Sequence, residues 1–272
     1  MRSEKFIAAN GLNFHVLVEG EGEPVLLLHG FPDSLKIWRH VAEHLLKQNY
    51  KVITLDQRGY GESDAPAHVS AYKAENIVED AAALLKELGY SSGVKLIGHD
   101  WGAFIGWMLC LKHPELIDRY AAVSVGHPLA YRHAGWEQKR KAWYILAFQL
   151  PLYPEARIKA NNWAMFRKMN AKEAENWIAD LSREGRLTAA LNWYRANFFG
   201  LLAGEFKKCK VPTLGVYSFG DFALTEKQMT DSANYMDAPW RYATIENSSH
   251  WIPLDQPERL AQICADWFKE TL

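Results

Sequence analysis

Hydrophobic and polar positions follow two rhythms along the chain, and each predicts its own kind of element. Residues 5–9 and 12–19 read as two strands around Asn10-Gly11, a dipeptide that favours a hairpin turn. Val25-Leu26-Leu27-Leu28 is apolar without a break, as in a strand buried on both faces of a parallel sheet. From Leu35 to Gln48 the apolar residues Trp38, Val41 and Leu45 recur at helical spacing. Val52-Ile53-Thr54-Leu55-Asp56 predicts another strand, and residues 72–88 an amphipathic helix closed by Gly89. The run from Val94 to Ile97 suits a buried strand, and the chain continues into a helix that stops at His113-Pro114. Arg119 to Val125 predicts the strand after it.

From about 127 to 206 the rhythm changes. No good strand occurs there, the pattern is helical, and Trp136, Trp143, Trp163, Trp177 and Trp193 are spread along it. Most of these indoles are expected to pack as core. The first rhythm returns with Val211 to Tyr217, a helix over 225–236, a strand from Tyr242 to Glu246 and a closing helix from Gln256. Strand–helix alternation argues a mostly parallel sheet with helices on both faces. The chain therefore divides into a core, 1–126, a helical insertion or cap, 127–206, and the rest of the core, 207–272.

Composition narrows the possibilities. The 272 residues are 49% hydrophobic, enough for a sizeable core, and the formal net charge of −1 implies no acidic polymer as partner. Lys139-Arg140-Lys141 and Arg167-Lys168 read as solvated helix faces rather than a nucleic-acid footprint. Cys110, Cys209 and Cys264 are isolated, which suits reduced packing residues in a cytoplasmic protein. Residues 1–5 lead into no long apolar run, so neither a signal peptide nor a membrane partner is expected. His40-x-x-Glu43-His44 matches a zinc pattern, but these residues fall mostly off the apolar stripe of their helix, and no metal or other cofactor is expected.

The candidate chemistry centres on Gly98-His99-Asp100-Trp101-Gly102. This has the spacing of a strand–turn–helix nucleophile elbow, G-x-S-x-G, with Asp in the serine's place. Such a turn holds its central side chain out at the end of the sheet, over a helix N-terminus that favours negative charge. Asp100 could also be a plain N-cap. Asp221 and His250 each follow a predicted strand as well, at the edge of an open sheet where ligands bind. Alone, one would be an ordinary turn residue and the other a half-buried histidine. Together the three stand in the order nucleophile, acid, histidine.

On His29-Gly30-Phe31-Pro32, Gly98-His99-Asp100-Trp101-Gly102, Gly220-Asp221 and Ser249-His250-Trp251, the chain resembles the α/β-hydrolase fold. Within it, the chain is similar to the epoxide hydrolases and their relatives the haloalkane dehalogenases. The resemblance implies an ester formed on Asp100 and cleaved by water that His250, oriented by Asp221, deprotonates. A carboxylate needs no base before it attacks, which suits displacement at an sp³ carbon. The backbone N–H groups of Phe31 and Trp101 would hold the oxyanion. Trp101, Phe31, Tyr153 and Trp251 would line the pocket.

An epoxide oxygen leaves as a strong base and needs a proton donor. The resemblance places two tyrosines there: Tyr194, in Asn192-Trp193-Tyr194-Arg195-Ala196-Asn197, and Tyr144, in Trp143-Tyr144-Ile145-Leu146, with Tyr153 as competitor for the second. The expected partners are a small apolar epoxide and water. The alternatives are a haloalkane dehalogenase, with the Trp101 indole holding halide, and a ligand-binding protein of the same fold with little turnover. Many dehalogenases place Asn after the His-Gly pair, where this chain has Phe31, and fluoroacetate-type enzymes place Arg where it has Trp101. No serine occupies the elbow, which disfavours a serine esterase.

Overall fold

Alternating side chains on residues 2–9 and 12–19 close a hairpin at Asn10-Gly11, where both residues take positive φ, 48° and 75°. The computed structural model describes residues 2–271, and Met1 and Leu272 lie outside it. The hairpin strands β1 (Arg2–Ala9) and β2 (Leu12–Glu19) begin an eight-stranded sheet. The others are β3 (Glu23–Leu28), β4 (Tyr50–Leu55), β5 (Val94–His99), β6 (Ile117–Val123), β7 (Thr213–Tyr217) and β8 (Trp240–Thr244). Their order is β1-β2-β4-β3-β5-β6-β7-β8, with the β1–β2 and β2–β4 pairs antiparallel and the remaining pairs parallel. The mostly parallel sheet expected from the apolar runs is present. β3 and β5 lie side by side at its centre, fully buried over Val25–Leu28 and Val94–His99, because helices cover both faces.

Helices of the core are α1 (Arg39–Lys47), α2 (Ala74–Glu87) and α3 (Trp101–Lys112). Six more follow between β6 and β7: α4 (Pro128–His133), α5 (Trp136–Lys141), α6 (Trp143–Phe148), α7 (Tyr153–Met169), α8 (Ala174–Leu181) and α9 (Arg186–Ala203). After β7 come α10 (Glu226–Thr230), α11 (Ile252–Asp255) and α12 (Pro257–Lys269). α7 breaks in its middle, where Asn161, Asn162 and Trp163 take left-handed φ. Among the described residues, no helix is long and apolar enough to cross a membrane.

Several predicted boundaries move. β6 and β8 each start two residues early, because pairing begins at Val94↔Ile117 and Thr213↔Trp240. The predicted helix 35–48 opens as a 3₁₀ turn, Leu35–Trp38, and the predicted helix 72–88 is preceded by another, Val69–Tyr72, with Lys73 extended. The predicted helix 225–236 splits at Thr230, whose hydroxyl bonds back to the carbonyls of Glu226 and Lys227 and competes with the backbone ladder. The helices α8 and α9 are fastened to the core by specific polar bonds. Asn197 of α9 accepts the N–H of Ala74 at 2.7 Å and so caps α2 from outside. The Trp193 indole donates to the Arg58 carbonyl at 3.1 Å, and the Trp177 indole to Asp33 at 2.7 Å.

Candidate active site

The turn after β5 explains its own glycines. A Cβ on Gly98 would lie 2.4 Å from the Gly102 carbonyl oxygen, and one on Gly102 would lie 2.0 Å from that of Leu28. Between them Asp100 sits at φ 54°, ψ −122°, a strained backbone for any residue with a Cβ. Its carbonyl accepts the first helical bonds of α3, but its side chain caps nothing and points away over the sheet edge. The plain N-cap reading of Asp100 therefore fails on geometry.

The two carboxylate oxygens of Asp100 are not equivalent. Oδ1 accepts the backbone N–H of Phe31 at 2.8 Å. Oδ2 lies 3.6 Å from His250 Nε2, too long for a hydrogen bond but close for a charge pair. Burial opposes the charge of Asp100. His250, His99 and the Trp101 backbone N–H outweigh it and hold the carboxyl below its ordinary range.

Asp221 and His250 meet because their loops are stitched together. Gly220 pairs with Ser249 in an isolated parallel bridge, and the Ser218 hydroxyl donates to the Ser248 carbonyl. His250 Nδ1 donates to Asp221 Oδ2 at 2.7 Å. Asp221 Oδ1 accepts the N–H groups of Ala223 and Leu224 at 2.8 and 2.9 Å, so the carboxylate is held on both oxygens. Burial pulls the His250 pKa down, but Asp221 and Asp100 prevail and push it up to about 10. Behind it, His99 Nε2 donates to the His250 carbonyl at 2.8 Å, and burial keeps His99 neutral with a pKa of about 4.

Two spaces border Asp100. A cleft of about 770 Å³ is walled by Phe31, Phe148, His250 and Trp251, among others. A recess of about 50 Å³ is walled by Trp101, Tyr131 and Leu201. Asp100, Tyr144 and Tyr194 border both. The Tyr194 ring is buried edge-on against Trp101, with centroids 5.0 Å apart, and 6.1 Å from the ring of Tyr144. Burial and the nearby Asp100 charge push both phenols well above their ordinary pKa, so both keep their protons. Phe31 and Trp251 line the cleft as side chains, and Trp251 is packed 5.3 Å from the His250 ring. Tyr153 also lines the cleft, but it is 54% exposed at the start of α7, whereas Tyr194 is buried.

Three residues of the site were not legible in the sequence. Tyr131 borders the recess, yet nothing local distinguishes it from other residues on a short helix. Phe222 lines the cleft from the loop that carries Asp221. Asp33 had a signal, since it directly follows His29-Gly30-Phe31-Pro32. Its Oδ1 accepts the Trp177 indole N–H, its Oδ2 has no partner among the described residues, and burial pushes its pKa up to about 8.

A mostly parallel sheet with a strained elbow at its centre, and an acid and a histidine on later strand-end loops, is the architecture of an α/β-hydrolase. The family described as alpha/beta hydrolase fold matches residues 23–257. Epoxide hydrolase 4 of Mus musculus is 33% identical over 97% of this chain and 78% of its own length. Epoxide hydrolase 3 of Xenopus tropicalis is 31% identical over 96% and 76%. The chain belongs to the epoxide hydrolase family. Among solved structures, an epoxide hydrolase of Vigna radiata matches with a TM-score of 0.87 at 27% identity, covering 99% of this chain and 98% of that one. Epoxide hydrolase A of Mycobacterium thermoresistibile matches at 0.84 and 26%, covering 98% of each.

Proposed function

We propose that this protein hydrolyses an apolar epoxide to a vicinal diol through an ester on Asp100, with residues 127–206 acting as a cap over the site. The observation that carries the reading is that two protonated phenols, Tyr144 and Tyr194, border the same spaces as the ionised Asp100. A halide would leave without a proton, so dehalogenation has no use for that pair. An epoxide oxygen has every use for it.

The residues divide the work by chemistry. Oδ1 of Asp100 is held by the Phe31 N–H, which leaves Oδ2 to attack a ring carbon. As the C–O bond of the ring breaks, a phenol proton passes to the alkoxide. A phenol, with an ordinary pKa near 10, is a much stronger acid than the alcohol formed, which favours the transfer.

Esterification then changes the electrostatics. The charge of Asp100 disappears, and with it one of the two carboxylates that keep His250 protonated. The histidine gives up its extra proton, through solvent, to the phenolate left by ring opening and becomes a base, while Asp221 keeps the ring oriented. Water, deprotonated by Nε2, adds to the ester carbonyl. The resulting oxyanion forms on Oδ1, already against the Phe31 N–H, with the Trp101 N–H beside it. Losing one such donor costs about 2.7–4 kcal/mol. Collapse of the intermediate expels the alkoxide, which takes the proton from His250 and leaves as the diol, and the regenerated carboxyl returns its own proton to His250 as it ionises.

The test is a paired assay on purified protein, with aryl and alkyl epoxides followed as diol and haloalkanes followed as halide. Diol formation that Asp100→Asn abolishes is expected. Halide release without diol would reject the reading. In His250→Gln the ester should accumulate and appear by mass spectrometry as an adduct on Asp100. Tyr194→Phe should slow single-turnover ester formation by about 10²-fold, the typical contribution of a positioned acid, and leave ester hydrolysis unchanged.

A further inference from the structure

Large apolar side chains on a protein surface normally stand alone, yet α5, α6 and the turn after α6 expose a row of them. Trp136 is 77% exposed, Trp143 67%, Leu146 61% and Leu150 50%. They fall within fifteen consecutive residues across α5, α6 and the turn that follows α6, with Arg140 between the first two. The row ends at the entrance to the cleft, where Trp143 and the half-exposed Tyr153 form the wall together with Arg140 and Arg157.

The charge around this face is mainly positive. Residues 134–168 contain seven Lys or Arg and only two acids, Glu137 and Glu155, in a chain whose net charge is −1. Glu155 is already taken by Arg195, at 2.8 Å. Arg140 and Arg157 have no ion-pair partner among the described residues. Lys139-Arg140-Lys141, which the sequence alone reads as a solvated face, thus borders both an apolar row and the cleft mouth.

We propose that this face docks on an anionic lipid bilayer, with the cleft opening toward the membrane. Exposed Trp and Tyr beside Lys and Arg are the side chains that settle at the headgroup boundary, with rings in the apolar edge and cations at lipid phosphates and carboxylates. α5 and α6 are six residues each, too short to insert, so the contact is made by side chains at interface depth. A second copy of the chain is the worse occupant, because a self-paired face would bring two cationic surfaces together. The docking departs from the sequence expectation of no membrane partner, and it does not depend on the chemistry proposed for the cleft. An apolar substrate concentrated in the bilayer would reach the cleft without crossing water.

The full-length protein would be floated with phosphatidylcholine vesicles, with and without phosphatidylserine. Binding to the serine-containing vesicles alone, released by high salt, is expected. Lys139→Gln should weaken that binding about fivefold, the equivalent of about 1 kcal/mol per surface cation. Trp136→Ser with Leu150→Ser should weaken it further. Neither change touches a buried contact, and near-UV circular dichroism would verify that the variants are folded. Absence of binding to both vesicle types would overturn the proposal. So would a dimer, by light scattering, that the Trp136→Ser and Leu150→Ser variant converts to monomer.

Discussion

Replacing Asp100 with Asn should move the titration of His250 into the neutral range without touching the histidine. The imidazole lies 3.6 Å from Asp100 Oδ2 and 2.7 Å from Asp221 Oδ2, and the two carboxylates together hold its pKa at about 10. A unit charge pair at 3.6 Å is worth about 4–5 kcal/mol at an effective dielectric constant of about 20. That corresponds to about three in pKa. Asp100→Asn removes this charge and keeps the shape, so His250 should titrate near 7 while Asp221 still orients it. Nitrogen-detected NMR of the imidazole, across the pH range in both proteins, reads the effect directly. The wild-type ring also contributes stability that is full below pH 6.5 and is lost as pH rises toward 10, and the variant should lose that slope. If His250 titrates near 10 in the variant too, Asp100 is not what charges it. The idea that esterification turns the histidine into a base would then fall.

Three further outcomes follow from packing and burial. Gly102→Ala should cost at least about 3 kcal/mol in thermal or chemical denaturation, because its Cβ would meet backbone on two sides, 2.0 Å from Leu28 O and 2.6 Å from His29 O. A loss under about 1 kcal/mol would mean the elbow yields more easily than its geometry implies. Arg195→Met should destabilise by about 3–5 kcal/mol, since it strands the buried Glu155 and removes the donor to the Phe148 carbonyl. Part of the loss should be recovered at low pH, where Glu155 takes a proton. Asp33→Asn should flatten the dependence of melting temperature on pH between about 4 and 8. The folded carboxyl keeps its proton to about pH 8 while the unfolded one gives it up near 3.8, so the wild type loses stability as pH rises through that window.

The parts of the fold legible in the sequence were those set by burial on both faces. Val25–Leu28 and Val94–Ile97 are continuous apolar runs because helices cover them on both sides, and no other element suits such runs. The elbow was legible for a different reason: only glycine fits at residues 98 and 102, so steric necessity left a mark in the chain. β8 was misplaced by two residues because it is the edge strand and only partly buried, with no apolar run to fix its register. The 3₁₀ turn before α2 was invisible, since the cap that fixes the start of α2 is Asn197, more than a hundred residues away. Tyr131 and Phe222 were missed for the same reason. Their place beside Asp100 or His250 is set by how loops and short helices pack, and not by local pattern.

On the proposed chemistry, the unequal spaces beside Asp100 would act as a size gauge with a handedness. A ring carbon would be presented to Oδ2 with its small substituent toward the 50 Å³ recess and its large one toward the 770 Å³ cleft, and the mirror-image arrangement would be the more crowded. Stereochemical preference would then be a property of the shorter wall, formed in part by Leu201 and Tyr131. Truncating Leu201 would erode the preference for one mirror image before it altered the bond-making steps, because no reacting atom touches that residue. A single side chain on the last turns of α9 would thus be the natural place from which to steer which diol the protein makes.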